Sequence, residues 1–421
     1  MALITRRAAL AGAALSAPTV LASTIAGARA VRAQSAGPIR IGFAGAVSGP
    51  FAIIGNDIRA GCDLAVAHVN ATGGVMGRPV ELVVRDTKAN PTEAVAVVRE
   101  MLSDGIRHIT GGAFGFEALA QAPIVQDAGG IYIVNGTQNM PVTHEGYRPC
   151  MFRISDNDVE GTRALVQMAI DRYAHITDWA YFGIDSETNN ASGRLFQKLL
   201  TEESAARGRK VNVLDPLVIK AGSGDGKNQI SSIMASPTQG IYSIMYGADG
   251  ITVYNQARAF GFNDKIKVIL DKGNEISFAK AMKRNVPRNF WCYTPWYHGA
   301  YRDNPLSRML YDGWVARTGD KYPQGYLGFG SSAVFTLTDA MKAARSTDPA
   351  ALIGALEGGL VVETAKGKAR FRREDHQIMA DINFIEFAPA DEEPGFRIAD
   401  SAVYDGGKML EPATPGVAFK F

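Results

Sequence analysis

Apolar and polar positions alternate in two rhythms along most of the chain. Residues 39–43 form a short, nearly continuous apolar run that breaks at Gly45 into glycine and small residues. After Pro50, Ile58, Cys62, Ala65, Val66 and Val69 recur at three- and four-residue steps, the period of a helix with one buried face. A strand, a glycine-rich turn over residues 45–55 and a helix make the opening half of a parallel βαβ unit. The rhythm repeats with a strand at 80–84 and a helix opened by Asn90-Pro91-Thr92-Glu93, which reads as cap, first-turn proline and capping box. It repeats again with a strand at 108–110, which runs into Gly111-Gly112-Ala113-Phe114-Gly115-Phe116 and a helix from Glu117. Another strand is predicted at Ile131–Val134. Strands this short, apolar throughout and bounded by small residues are those buried on both faces of a parallel sheet.

Near residues 152–155 the pattern restarts. A helix over 160–173 precedes strands at 179–184, 211–219, 241–246 and 267–270, with helical segments between them. From Pro305 the chain is mainly helical, at 307–318, 328–344 and Pro349–Glu357. Residues 381–387 alternate apolar with polar and are expected to end the regular structure as a strand. The pattern predicts an α/β protein of two Rossmann-like lobes, each a parallel sheet flanked by helices. The chain crosses between the lobes more than once, so the crossings act as a hinge. A length of 421 residues agrees, being more than one core usually supports.

Composition, 46% apolar and 20% charged, is that of an ordinary globular protein, and only the N-terminus changes the picture. Thr5-Arg6-Arg7 precedes an alanine-rich apolar run, then Ala28-Arg29-Ala30 and Val31-Arg32-Ala33. A basic segment, an apolar segment and small residues at a cleavage point make an export signal over residues 1–33. The arginine pair points to the twin-arginine route, with the general secretory route left open. Cleavage after Ala33 removes Arg6, Arg7, Arg29 and Arg32 and no acid, turning a net charge of +2 into −2. That near-neutrality argues against nucleic acid as a partner. Cys62, Cys150 and Cys292 show no CxxC and no close histidine; Cys62 reads as a buried thiol, and a Cys150–Cys292 bridge is conceivable.

No catalytic constellation emerges. The six histidines are scattered without metal-ligand spacing, so neither metal nor cofactor is expected. No GxSxG elbow is present, GSGDGK at 222–227 lacks P-loop spacing, and GGAFGF is not GxGxxG. Asp375-His376 reads as a polar turn. What remains is a set of polar and aromatic residues at strand ends, where open parallel sheets bind ligands. In the first half these are Ser48, Phe51, Ile54, Phe114, Gly115, Phe116, Gly136, Thr137 and Gln138. In the second they are Asn189, Asn190, Tyr246, Ala248, Asp249, Asp271 and Lys272. Ser48 and Thr137 are expected to donate to a ligand carboxylate, and Phe51, Phe114 and Phe116 to form an apolar wall. Asp249, Asp271 and Lys272 are expected to set charge preference, with Asp271 alternatively a helix cap. Trp291 and Tyr293 are expected to pack between lobes.

These stretches resemble the periplasmic solute-binding proteins of branched-chain amino-acid ABC importers, of type I periplasmic binding fold. The resemblance rests on IRIGFAGAVSGPFAIIG, NATGGVMGRP, GGIYIVNGTQNMPVT, MFRISDNDVEG, YGADGITVYNQARAFGF and DHQIMADINFIEF, and spans the chain after its signal. It implies a first lobe of 38–153 plus 293–383, a second of 154–292 plus 384–415, and three crossing strands. It also implies a monomer that captures an amino-acid-like or carboxylate ligand between its lobes and delivers it to an inner-membrane permease. Relatives hold the ligand's carboxylate and amine near Gly115, Gly136, Thr137 and Gln138, with a tyrosine where Asn190–Ala191 stand and an acid at Lys272. Here a serine run becomes Phe114-Gly115-Phe116 and the acid becomes a base. Either Asp271 takes over the ammonium or the ligand is a carboxylate without an α-amine. Ala89 and Phe114 stand where relatives carry a disulfide. The competing functions are a sensor feeding a receptor and a secreted hydrolase.

Overall fold

The computed structural model describes residues 37–420, so the export signal lies outside the described residues. Five strands, β1 (Ile39–Gly45), β2 (Val80–Asp86), β3 (His108–Gly111), β4 (Ile131–Val134) and β5 (Met151–Arg153), form a wholly parallel sheet in the order β2-β1-β3-β4-β5. Helices α1 (Ala52–Ala71), α2 (Pro91–Ser103) and α3 (Gly115–Asp127) make the connections. At α2, Asn90 accepts from the N–H groups of Thr92 and Glu93 with Pro91 in the first turn, as predicted. The Glu93 carboxylate turns to Lys88 instead of closing the box.

After α4 (Asp158–Arg172) a second sheet begins. It contains β6 (Asp178–Ile184), β7 (Asn212–Ile219), β8 (Gly240–Ile244), β9 (Val268–Asp271) and β10 (Phe290–Thr294), all parallel, with α5 (Glu187–Ala206), α6 (Lys227–Ala235) and α7 (Gly247–Ala259) among the connections. The chain then returns: helix Tyr326–Ala344 packs on α1, contributing Phe329, Val334 and Leu337 to the core under the first sheet. A small antiparallel sheet follows, β11 (Val362–Thr364), β12 (Gly367–Phe371) and β13 (Ile378–Met379). Finally β14 (Ile382–Pro389) adds antiparallel to β10, and β15 (Phe396–Tyr404) to β14. The chain thus passes between the two main sheets three times.

Three features depart from the pattern reading. Regular structure does not end near residue 387, because β15 follows. It lies at the sheet edge, where only part of each face is covered, and its buried positions are too sparse to announce a strand. Phe290–Thr294, read as packing around a crossing, is a strand whose residues alternate between faces: Cys292 joins one core, Trp291 and Tyr293 the other. The conceivable Cys150–Cys292 bridge is absent. All three cysteines are free and buried, and Cys150 lies in the core of the first sheet while Cys292 lies on β10 of the second.

Helix α1 and helix Tyr326–Ala344 approach to backbone contact. A methyl group on Gly330 would stand 1.8 Å from the Ile58 carbonyl oxygen, and one on Gly61 would stand 2.1 Å from that of Leu327. This contact fixes α1, and with it the loop that leads from β1 into α1.

Candidate functional site

The carboxyl ends of the parallel strands carry the predicted residues. After β1, the Ser48 hydroxyl donates to Asp86 Oδ2 at 2.5 Å, which ties this loop to the end of β2. Three rings then form a ladder across two loops. Phe51 and Phe114 have centroids 5.0 Å apart, and Phe114 and Phe116 stack at 5.7 Å with planes only 8° apart. Phe51 and Phe116 are each 45% exposed, so this surface is no part of the core. Ile54 is half-buried one turn into α1. Phe114 is the cap residue of α3 but supplies no side-chain hydrogen bond to it. Gly115 must be glycine for want of room, because a Cβ there would lie 2.6 Å from Asn139 Nδ2. Gly136 passes similarly close, 3.0 Å from Ala113 Cα. Next to Gly136, Thr137 is buried, its hydroxyl oxygen accepting from the Asn139 N–H at 3.1 Å.

The second sheet's charges are engaged with the protein itself. Asp249, in the first turn of α7, accepts from the N–H groups of Gly222 and Gly224 at 2.6 and 2.9 Å, so its charge organises the 222–227 turn. Ala248 beside it is exposed. Asp271 is fully buried and accepts from the N–H groups of Gly273 and Asn274 and from Asn274 Nδ2, bonds that hold the turn after β9; it caps no helix, since the cap of the helix that follows, Ile276–Met282, is Glu275. Burial pushes its carboxyl up to about 7 against those hydrogen bonds. Asn190 donates to Asp185 at 2.8 Å, while its own Oδ1 is buried with no donor. Tyr246 is 42% exposed.

Lys272 reaches into the first crossing, where Nζ meets Asp158 Oδ1 at 2.9 Å and the Asp158 carbonyl at 3.3 Å. Burial alone would push its ammonium down; the facing carboxylate reverses that, and the net direction is up. Neighbouring Asp156 accepts from Gln138 Nε2 at 2.7 Å and from the Tyr293 hydroxyl. One crossing residue therefore joins the end of β4 to β10, and Tyr293 acts between the halves as expected. Trp291 instead packs inside the second, donating to the Tyr173 hydroxyl at 2.6 Å beneath Arg172.

A second link joins the halves, and the sequence did not announce it. Glu275, after β9, accepts from the Thr294 hydroxyl and from the Gly325 N–H. The adjacent Gln324 donates to Asp57 of α1 at 2.6 Å. Asp57 is 9% exposed, and burial pushes its carboxyl up to about 6, with the Gln324 bond opposing. Between its ordinary value of 3.8 and about 6 the folded chain holds a proton that the unfolded chain releases. Stability that is fully present below the lower value is lost as pH rises through the upper one. Asp57→Asn, which can still accept from Gln324, is expected to gain about 2–3 kcal/mol over the parent at pH 7.5. The gain should vanish towards pH 4, and urea unfolding at both pH values reads it.

Asp375-His376, the nearest approach to a catalytic pair, is structural. Arg372 grips both Asp375 oxygens, and the His376 ring stacks on Phe152 at 3.9 Å while contacting Glu357 and the Met151 carbonyl. Among the described residues no group of acids, histidines and cysteines is placed to hold a metal. A cavity of about 440 Å³ lies elsewhere, lined by His68, Phe335, Asp339 and Lys368, with no wall from the strand ends.

Two α/β lobes with parallel sheets, three crossings, and polar and aromatic residues gathered at strand ends define the type I periplasmic binding fold. The periplasmic binding protein family model matches residues 38–392, and the chain belongs to that family. It is 27% identical over 345 residues to the leucine-, isoleucine-, valine-, threonine- and alanine-binding protein of Pseudomonas aeruginosa, covering 80% of this chain and 87% of that one. Its fold matches the protein of the same description from Brucella ovis, in a closed conformation, with a TM-score of 0.75, 17% identity, and coverage of 91% and 100% of the two chains. It also matches an ABC-transporter solute-binding protein from Rhodopseudomonas palustris BisB5 in complex with 3,4-dihydroxybenzoic acid. There the TM-score is 0.71, identity 17%, and coverage 88% and 98%.

Proposed function

We propose that this chain is the substrate-binding component of an ABC importer. It captures a small amino-acid-like or carboxylate ligand in a cleft between lobes of residues 38–153 plus 293–383 and 154–292 plus 384–415. It then hands the ligand to an inner-membrane permease. The chain is exported to the periplasm as a monomer, its signal removed after Ala33, and it makes and breaks no covalent bond in the ligand. The observation that carries this reading is the family match over residues 38–392, coupled with strand ends that gather rings and donors instead of a nucleophile and a base. The relatives' ligands, leucine, isoleucine, valine, threonine and alanine in one case and 3,4-dihydroxybenzoic acid in another, bracket the chemistry.

Closure follows from differential affinity: a ligand that touches both lobes favours the closed form, and one that touches a single lobe does not. Thr137 tests the site. Its hydroxyl oxygen already accepts from Asn139, which leaves its proton for a ligand oxygen. Once a ligand is found by thermal shift, Thr137→Val is expected to weaken calorimetric affinity about tenfold and Thr137→Ser to retain it, one hydrogen bond being worth roughly that factor. Equal affinity in both variants would remove Thr137 from the site. Turnover of the ligand, or no thermal shift across a broad panel of amino acids, amides and carboxylates, would end the proposal.

A further inference from the structure

We propose that residues 409–419 form a strap that holds the two halves in an arrangement with their strand ends open to water, and so tunes how tightly a ligand is bound. The inference rests on the binding reading above. The segment lies beyond residue 392, where the family match ends, and it links the halves a fourth time, after the three crossings. It starts on the second half, where Arg163 of α4 donates to the carbonyls of Met409 and Leu410 at 2.9 and 2.7 Å. Glu411 is then buried against the first crossing. It accepts from Asn157 Nδ2 at 3.0 and 3.1 Å, and its Oε1 meets His144 Nε2 at 3.2 Å. Arg372, just after β12, donates to the Glu411 carbonyl. From there the segment docks on the first half, along the loop between β4 and β5. Thr414 Oγ1 lies 2.7 Å from His144 Nδ1, and the Gly416 N–H donates to the His144 carbonyl at 2.7 Å. The Phe419 N–H donates to Glu145 Oε2 at 3.2 Å.

The far end of the strap touches both halves at once. The Phe419 ring stands 4.9 Å from that of His144, and it packs against a cluster of Met140 from the first half with Val159 of α4 and Leu195 of α5. Helix α5 belongs to the second half, since its Phe196 and Leu200 lie in the core of the second sheet. Turning one half against the other leaves Glu411 close to the pivot, because Asn157 is part of the crossing. The same turn must shift Leu195 relative to Met140 and His144. Phe419 cannot follow both.

These contacts are made while Phe51 and Phe116 on one half and Tyr246 on the other keep large exposed areas at the strand ends. They therefore stabilise that arrangement against closure. A ligand that needs the closed form binds more weakly in proportion to the share of chains able to close. Weakening the strap should raise that share and tighten binding. A purely structural anchor predicts the opposite pattern: its loss lowers stability and brings no gain in affinity.

Phe419→Ala removes the bridging ring and keeps the buried Glu411. A chain ending at Pro412 also removes the Thr414 and Gly416 contacts and keeps β14 and β15. Spin labels on Ile53→Cys, in the first turn of α1, and on Glu187→Cys, at the start of α5, report the separation of the two walls. Both positions are exposed, and the three native cysteines are buried. Pulsed dipolar spectroscopy on the mature, ligand-free protein is expected to show a larger share of short distances in both strap variants. Calorimetry with L-leucine, L-phenylalanine and 3,4-dihydroxybenzoate is expected to show whichever of them binds doing so at least threefold tighter than in the parent. Unchanged distances and affinity with a lower unfolding temperature overturn the proposal and leave the importer reading standing. Longer distances or weaker binding overturn it too. If none of the three probes binds, the distances alone decide on the strap, and the broad ligand panel decides on the importer reading. If the shortened chain fails to fold, Phe419→Ala alone decides.

Discussion

Asp158→Ala is expected to lower the free energy of unfolding by about 3–5 kcal/mol, because it strands the Lys272 ammonium in a buried site. Asp158 and Lys272 side chains are 11% and 3% exposed, so water cannot replace the lost carboxylate. The large loss would measure the cost of an uncompensated charge, not the worth of the pair. The double variant Asp158→Ala with Lys272→Met, which removes both charges and keeps the apolar stem, should therefore recover most of it. Urea unfolding of the parent, both singles and the double supplies the cycle. A small loss in Asp158→Ala, or no recovery in the double, would show that the pair is not the dominant interaction at this crossing. The first crossing carries more than this one pair. Glu160 closes a capping box with Asn157, which also donates to Glu411 of the C-terminal segment.

Gly330→Ala is expected to be comparably severe, for a steric reason. Its new methyl would fall 1.8 Å from the Ile58 carbonyl oxygen and 2.8 Å from the Cys62 nitrogen, both backbone atoms that no rotamer change can clear. The helices must part, opening the contact that buries Phe329, Leu337 and Ile58, and a loss of about 3 kcal/mol or more follows. Gly354→Ala is the control. That glycine lies in helix Pro349–Glu357 with nothing within 4 Å of its Cβ position, so alanine there should be neutral or stabilising by up to about 1 kcal/mol. Thermal unfolding of the two variants side by side distinguishes crowding from a general intolerance of alanine. Because α1 carries the Ser48–Phe51 loop into the site, Gly330→Ala should also weaken ligand binding.

The elements that were legible before the structure are those with local signals. Asn90-Pro91 announced α2, and Ile131–Val134 announced β4 to the residue. The ring-bearing loops were legible because glycine-rich breaks after apolar runs mark strand ends. What was not legible depended on residues distant in sequence. Asp158 and Lys272 are 114 positions apart, and nothing local in either segment states that they meet. Asp249 reads as a free acid near a strand end; only the fold shows that residues 222 and 224 claim it. Asp57 and Gln324 are 267 positions apart, and their bond exists because two glycines let α1 and a late helix touch. Charge roles assigned from position alone leave such partners out, since position says nothing of which group is already there.

The order in which the second sheet is completed has a consequence for the newly made polypeptide. β6 to β10 are contiguous in synthesis, but the flank of β10 is covered only when β14 and then β15 arrive from residues 382–404. A polypeptide that stops short of Ile382 would display a bare row of β10 backbone donors and acceptors between Phe290 and Thr294, a template for self-association. Premature termination just before Ile382, which loses only about the last tenth of the chain, would then lead to aggregates and not to a shortened but working binder.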